Sequence, residues 1–256
     1  MKILDYENVV DDRHDPRWAP LRVSCRVVTP VIYHGDGLNL DGLLAFGAYQ
    51  ELSEEQKKSL VPMASPWVED FDMPVAKWSA PAPTIDGVYP VSLLTPKGHI
   101  WGWCTSDVQC EWSDRQPYDV RQMPATDAMR RLTDSKVVNT ASSRYKGANK
   151  RYAGWWPVDG ELVWYVLGNA EKVSKLLRHV PNIGKMHNHG YGKVECDLSG
   201  IPIWTVEEAD HDYSIERDGE LTRAMPEGYG GREAVGKPAP VRAPRHHRSR
   251  YVPCIR

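Results

Sequence analysis

The segment from Leu162 to Leu198 most constrains the fold, because it carries a strand, a helix, a turn and a second strand in succession. The run LVWYVL (162–167) is apolar throughout, which is typical of a central strand. Gly168-Asn169 then opens a predicted helix that Pro181 limits, and its apolar residues recur at helical spacing: Val173, Leu176, Leu177 and Val180. The alternation of Val194, Cys196 and Leu198 predicts the next strand.

An earlier part of the chain repeats the order of strand and helix. Leu21, Val23, Cys25 and Val27 alternate with polar residues, which predicts a half-buried strand. Asn39 is suited to cap a helix that carries Leu40, Leu43, Leu44, Gly47 and Ala48 on one face, and Ser53 with Gln56 fits a capping box for a second helix. Strand–helix early and strand–helix–loop–strand late are the outer parts of a βαββαβ unit. We therefore predict an α+β fold with a ferredoxin-like (RRM-like) core.

The remaining segments are interpreted around that core. Residues 1–20 form an N-terminal extension, and the core domain covers 21–206 with a β-rich insertion at 62–160. The basic run 121–156 within the insertion predicts an arm or hairpin. Residues 207–256 hold an acidic loop and then a basic, proline-containing tail, which we expect to be extended from residue 225 onward.

Charge is segregated along the chain although the net charge is only -2. Eight Lys or Arg residues lie between Arg121 and Arg151 against two aspartates, and six follow from Lys237 onward with no acid. A polyanion site needs this kind of local excess.

Membrane, disulfide and metal classes are disfavoured by the sequence. It has no long apolar run, and its acidic first residues do not resemble a signal peptide, so we expect a cytoplasmic protein that contacts no membrane. The five cysteines are scattered without a C-x-x-C pair, and His187-x-His189 and His246-His247 lack a third ligand. We therefore expect reduced thiols, no metal and no cofactor.

The glycine loop, defined as Gly184–Gly192 (GKMHNHGYG), is the first candidate RNA-binding site. Glycines allow backbone N–H groups to approach phosphates, lysines add positive charge, and rings stack on bases. The candidates that supply these groups are Gly184, Lys185, His187, His189, Gly190, Tyr191, Gly192 and the adjacent Lys193. The alternative is that the glycines only make a tight turn.

The arm and the tail supply further candidates. Arg144, Lys146, Lys150 and Arg151 are interleaved with aromatic residues, so we predict that these cations contact RNA. The alternative is a solvated arm whose aromatic residues belong to the core. Trp155 and Trp156 are instead interpreted as core or subunit-interface residues. Arg245, Arg248 and Arg250 of the tail are predicted to bind RNA. The alternatives are a tail that docks on a partner and an unengaged tail.

These patterns resemble the RAMP superfamily of CRISPR-associated proteins. The helix 169–180 followed by Asn182–Lys185 and Gly190–Val194 is similar to its C-terminal signature of helix, glycine-rich loop and strand. Thr29-Pro30-Val31 leading into 38–45 (LNLDGLLA) is similar to the Csf branch of type IV systems, in particular its small subunit equivalent to the five-class Cas protein. The segment Ser142–Lys150 looks like the lysine-bearing segment of that branch.

The resemblance implies a non-catalytic subunit of a type IV effector complex in antiviral or anti-plasmid interference. Such a subunit caps the 5′ handle of the crRNA and contacts the backbone and large subunits, and contact with target DNA beside the protospacer-adjacent motif stays open. A metal-independent endoribonuclease that cleaves the CRISPR repeat is the first alternative. Its catalytic residues would be His187, His189, Tyr191 and Lys185, with His34 as the next candidate. The second alternative is a scaffold that binds acidic protein surfaces and no nucleic acid.

Overall fold

The computed structural model describes residues 4–33, 37–60, 71–82, 94–113, 116–120, 150–232, 237–243 and 250–255. These residues form a mixed structure with many strands and few helices, which is compatible with an α+β fold. The helices are α1 (Leu40–Gln50), α2 (Glu54–Leu60) and α3 (Ala170–Leu177). The strands are β1 (Ala19–Arg26), β2 (Val31–Ile32), β3 (Lys77–Pro81), β4 (His99–Trp103), β5 (Gln116–Val120), β6 (Lys150–Trp155), β7 (Glu161–Gly168), β8 (Thr205–Glu208), β9 (Glu216–Arg217), β10 (Glu220–Leu221), β11 (Met225–Pro226), β12 (Lys237–Pro240) and β13 (Tyr251–Ile255).

The central sheet is built around β1, which lies between β7 and β8 and is antiparallel to both. The predicted strands at 21–27 and 162–167 are therefore confirmed. Their apolar residues face one another across the sheet, with Val23 opposite Trp164 and Cys25 opposite Leu162. On the outer edge of β7, residues 104–109 add antiparallel bridges at Thr105 and Gln109. The spatial order is thus β8, β1, β7 and then the segment 104–109.

Helices α1 and α3 pack on the same apolar face of this sheet, because their buried residues share one core cluster with those of β1 and β7. The predicted caps are confirmed: Asn39 accepts a hydrogen bond from the Asp41 N–H, and the side chain of Asn169 caps α3. The capping box of α2 also forms, with reciprocal bonds of 3.0 and 3.2 Å between Ser53 and Gln56. Its reciprocity satisfies two N–H groups at the start of that helix.

The two helices approach each other closely at Gly47. A Cβ there would overlap the carbonyl oxygen of Leu176 and lie 2.9 Å from its carbonyl carbon. Just beyond α1, the carboxylate of Glu51 forms an ion pair with Lys175 of α3, with 2.9 Å between Oε1 and Nζ. The missing side chain at Gly47 permits this close approach of α1 and α3, and the ion pair between Glu51 and Lys175 links the two helices beside it.

A second sheet contains β6, which is the part of the predicted basic arm that the structure describes and is called the root of the arm below. Its strand order is β2, β6, β5, and β5 pairs antiparallel with β6 over five residues. Residues 121–149, which connect these two strands and include most of the arm, lie outside the described residues.

The described residues of the C-terminal segment pair in a sheet, so for them the prediction of an extended tail was wrong. Strands β11, β13 and β12 form a sheet whose residues share a second core cluster with β3 and β4. Arg242 is fully buried, with its guanidinium 3.8 Å from the ring centroid of Trp101 and a 3.0 Å hydrogen bond to the Trp101 carbonyl oxygen. Aromatic faces and buried carbonyls stabilise such cations away from water, which a count of charges along the sequence does not reveal.

The predicted strand at 194–198 was also wrong. Asp197 accepts hydrogen bonds from the N–H groups of Ser199 and Ile201, which makes a turn, and Leu198 is fully exposed at its tip. The strand that completes the central sheet is β8, a few residues later. Local side-chain bonding of aspartate competes with strand formation here.

Within the described residues, no helix is long and apolar enough to cross a membrane. The five cysteines are free thiols, and Cys25, Cys104 and Cys254 are buried. Burial raises the pKa of the Cys110 thiol to about 12. The described part of the chain holds no group of three or more His, Cys, Asp or Glu that would ligate a metal.

Candidate nucleic-acid interface

The glycine loop is clamped onto the segment that leads into β2. At its base, the Ile183 N–H donates to the Gly192 carbonyl at 2.7 Å. The Gly192 N–H donates to the Pro30 carbonyl at 2.8 Å, and the Lys185 N–H donates to the Ile32 carbonyl at 2.7 Å. The loop therefore has a defined position against β2.

Two of the loop's glycines are required by this close packing. Gly184 and Gly192 have φ of +83° and +64°, and a Cβ would overlap the Ile32 and Ile183 carbonyl oxygens respectively. Gly190 also has a positive φ, of +84°, but open space around it. Close packing against β2 at Gly184 and against the base of the loop at Gly192 thus explains these two glycines without reference to RNA.

The backbone amides of the loop are largely engaged within the protein. Besides the three N–H groups at the base, those of His189 and Gly190 donate to carbonyls of the loop, and the N–H of Lys193 donates to the Thr29 hydroxyl at 2.7 Å. The predicted approach of phosphates to backbone N–H groups therefore does not apply to these amides.

The tip of the loop exposes basic and imidazole side chains. His187–His189 form one 3-10 turn, preceded by Met186 at φ 63°. Lys185, His187, His189 and Lys193 are exposed, whereas Tyr191 is half-buried. The Nε2 of His187 hydrogen-bonds to the Gly184 carbonyl oxygen, which fixes the orientation of this ring.

The other predicted site residues differ in whether the structure describes them and in whether they are exposed. Lys150 and Arg151 belong to β6, next to β5. Arg144, Lys146, Arg245, Arg248 and His34 lie outside the described residues. Arg250 is fully buried, so its guanidinium does not face solvent and is not available to RNA in this structure.

The strand β2 joins the two regions that the sequence singled out separately. Ile32 bridges Lys185 of the loop on one edge and pairs with Gly154 of β6 on the other. Sequence reasoning missed this link, because β2 is only two residues long. The glycine loop and the root of the arm are therefore neighbours across one short strand.

An aromatic cluster lies beside this junction. The ring of Tyr33 is 5.1 Å from that of Trp112 and 6.2 Å from that of Trp155, and all three side chains are half-buried. Tyr33, Trp112 and Trp155 are far apart in the chain, so the sequence gave no signal of this contact.

Comparison with known protein families places the chain among the CRISPR-associated proteins of type IV. A family model described as CRISPR type IV associated protein Csf3 matches residues 19–253. The chain therefore belongs to the Csf3 family, and its resemblance to the Csf branch is confirmed. The match extends from the first residue of β1 into β13, so it includes the central sheet, the glycine loop and the C-terminal sheet. No curated protein matches the chain.

Proposed function

We propose that this chain is an RNA-binding subunit of a type IV CRISPR effector complex. It holds the 5′ handle of the crRNA and contacts the backbone and large subunits of that complex. Membership of the Csf3 family supports the assignment to a type IV system. The observation that carries the RNA role is the bridge from Ile32 to Lys185, because it brings the exposed cations of the loop beside the root of the basic arm.

We also propose a ferredoxin-like core. The antiparallel order β8, β1, β7 and 104–109, with α1 after β1 and α3 after β7, is the arrangement that a βαββαβ unit produces. The glycine loop then occupies the connection between the second helix and the last strand of the unit.

RNA is held in this proposal by side chains. Lys185 and Lys193 neutralise phosphates and release counterions, while His187, His189 and Tyr191 stack on unpaired bases. The loop contributes a fixed framework, since the N–H groups of Lys185, His189, Gly190 and Gly192 are engaged within the protein. Such a site binds single-stranded RNA through contacts that weaken as salt rises.

Cleaving RNA is the alternative to holding it. Cleavage needs an imidazole nitrogen able to accept or deliver a proton at the ribose or the leaving oxygen. The Gly184 carbonyl engages one nitrogen of His187, so the other nitrogen of this ring and the exposed ring of His189 would have to take that role. Site-specific cuts in repeat RNA in the presence of EDTA, abolished by His187→Ala with His189→Ala, would establish the nuclease instead.

The proposal is tested by RNA affinity as a function of salt. Fluorescence anisotropy with labelled repeat RNA is measured for the unmodified chain, for Lys185→Glu and for the matched control Lys97→Glu, an exposed lysine before β4. Each phosphate contact contributes about 0.7 to the slope of log affinity against log salt for a single strand. We expect Lys185→Glu to lower affinity and flatten the slope, and Lys97→Glu to do neither. Identical behaviour of the two variants would remove the loop from the interface, and a zero slope for the unmodified chain would favour the scaffold.

A further inference from the structure

A cleft of about 460 Å³ opens at the end of the central sheet opposite to the glycine loop. Its wall includes Trp18, immediately before β1, and Asn169, immediately after β7. The loop instead contacts the segment that follows β1. Since β1 has eight residues, the two sites are separated by about 26 Å along the strand. One nucleotide cannot touch both.

Cations outnumber carboxylates in the lining of this cleft. Four basic side chains and two acidic ones lie there: Arg17, Lys77, Lys172 and Lys175 against Glu51 and Asp72. Lys77 is largely buried and lies 3.8 Å from Asp72 and 3.7 Å from Asp12, so its charge is compensated. The anion-binding capacity therefore depends on the other three cations.

Those three cations are exposed and differ in how firmly they are held. Lys172 makes no ion pair with any described residue. Lys175 pairs with Glu51 and Arg17 pairs with Asp12 and Asp15, yet their side chains are 66% and 59% exposed. Exposed ion pairs contribute little to stability, so a ligand with a higher charge density can recruit both side chains.

The cleft also offers an aromatic surface. The Arg17 guanidinium lies 4.6 Å from the ring centroid of Trp18. The indole N–H of Trp18 is buried and has no acceptor among the described residues. Nucleotide sites combine two components, which are cations that bind the phosphate and an aromatic ring that packs against the base.

We propose that this cleft binds the phosphate group of a nucleotide, either at the end of an RNA strand or in a free nucleotide. Lys172 and Arg17 contact the phosphate, and Trp18 packs against the nucleoside. The site is distinct from the glycine loop and goes beyond the RNA-holding function proposed for that loop. Its cations come from two segments, before β1 and on α3, so only the folded chain assembles them.

The test is a titration of the full chain followed by the indole N–H resonances in NMR, with that of Trp18 assigned by Trp18→Phe. The probes are inorganic phosphate, adenosine, adenosine monophosphate and a short RNA with or without a 5′-phosphate. We expect the Trp18 resonance to shift saturably with the phosphate-bearing probes. Lys172→Glu should weaken this binding by about tenfold, as expected for the loss of one charge-assisted contact, whereas Lys97→Glu should leave it unchanged.

The probes distinguish the possible sources of the phosphate, and the variants distinguish the two proposals. Equal affinity for adenosine monophosphate and 5′-phosphorylated RNA identifies a free-nucleotide site, and a preference for the RNA identifies a strand end. The absence of a Trp18 shift with every phosphate-bearing probe, or an equal shift with adenosine, would overturn the inference. Lys185→Glu should weaken repeat-RNA binding but not the binding of adenosine monophosphate, so failure of the loop leaves the cleft result interpretable.

Discussion

Substitution of Gly192 tests whether close packing at the base of the glycine loop dictates the conformation of the loop. In Gly192→Ala the new methyl group would overlap the Ile183 carbonyl oxygen and lie 2.9 Å from the Ile183 carbonyl carbon. Backbone atoms cannot move aside as a flexible side chain can. The loop would have to shift, and the hydrogen bonds from Ile183 to Gly192 and from Gly192 to Pro30 would be lost.

The magnitude follows from these losses. An alanine at positive φ costs about 1 kcal/mol, and each backbone hydrogen bond contributes about 1 kcal/mol net. Gly192→Ala should therefore lower the free energy of unfolding by about 3 kcal/mol, a large part of the usual total of about 5–15 kcal/mol. Gly190→Ala is the matched control, because it has the same backbone requirement with nothing within 4 Å. It should lose only about 1 kcal/mol.

Urea denaturation followed by tryptophan fluorescence measures both variants against the unmodified chain. We expect a much lower urea midpoint for Gly192→Ala than for Gly190→Ala, with similar slopes. Equal losses in the two variants would refute the argument that close packing rather than turn conformation requires Gly192. Gly190→Ala should also retain RNA binding, which separates the stability of the loop from its function.

Three further predictions concern other parts of the fold. Gly47→Ala should lower the Tm because it forces the helices apart, whereas Gly42→Ala, in the same helix but in open space, should raise stability by about 0.5–1 kcal/mol. The pKa of Glu51 is held below its usual 4.5, chiefly by the hydrogen bond from Lys175. A carboxylate with a lowered pKa stabilises the fold at pH values above its unfolded-state pKa. This stabilisation is lost as the pH falls through the folded-state pKa. The Tm advantage over Glu51→Gln should therefore be present near neutral pH and disappear in acid, and an advantage that grows in acid would contradict it. Arg242→Met should lower stability by about 2 kcal/mol through the loss of its buried contacts, yet leave the salt dependence of RNA binding unchanged. A flatter salt slope would place this residue at the RNA interface.

Local elements could be predicted because their determinants are local. The alternation in β1, the apolar run in β7 and the caps of α1 and α3 each involve residues a few positions apart. Side-chain capping and apolar periodicity depend on residues within one or two helical turns or a single strand, so the sequence shows them directly. The same locality explains the failure at 194–198, where alternation was outweighed by the turn that Asp197 forms.

The C-terminal cations show where composition misleads. Six basic residues without acids predicted an extended tail that binds RNA through Arg245, Arg248 and Arg250. Arg242 and Arg250 are instead fully buried, and Arg242 lies against a tryptophan about 140 residues earlier in the chain. A cation's surroundings depend on long-range packing, which decides whether the charge faces solvent or a ring.

By itself the sequence determined that this chain holds an α+β arrangement of strand and helix, a glycine loop after the second such helix, and the resemblance to the Csf branch that the family match confirmed. Tertiary structure alone decided that the glycine loop lies across β2 from the root of the basic arm, through the bridge from Ile32 to Lys185. It also decided that the cleft beside Trp18 collects cations from segments far apart in the chain. The physical reason is that periodicity and capping are encoded in neighbouring residues, whereas the meeting of distant charges is fixed only when strands pair and helices pack.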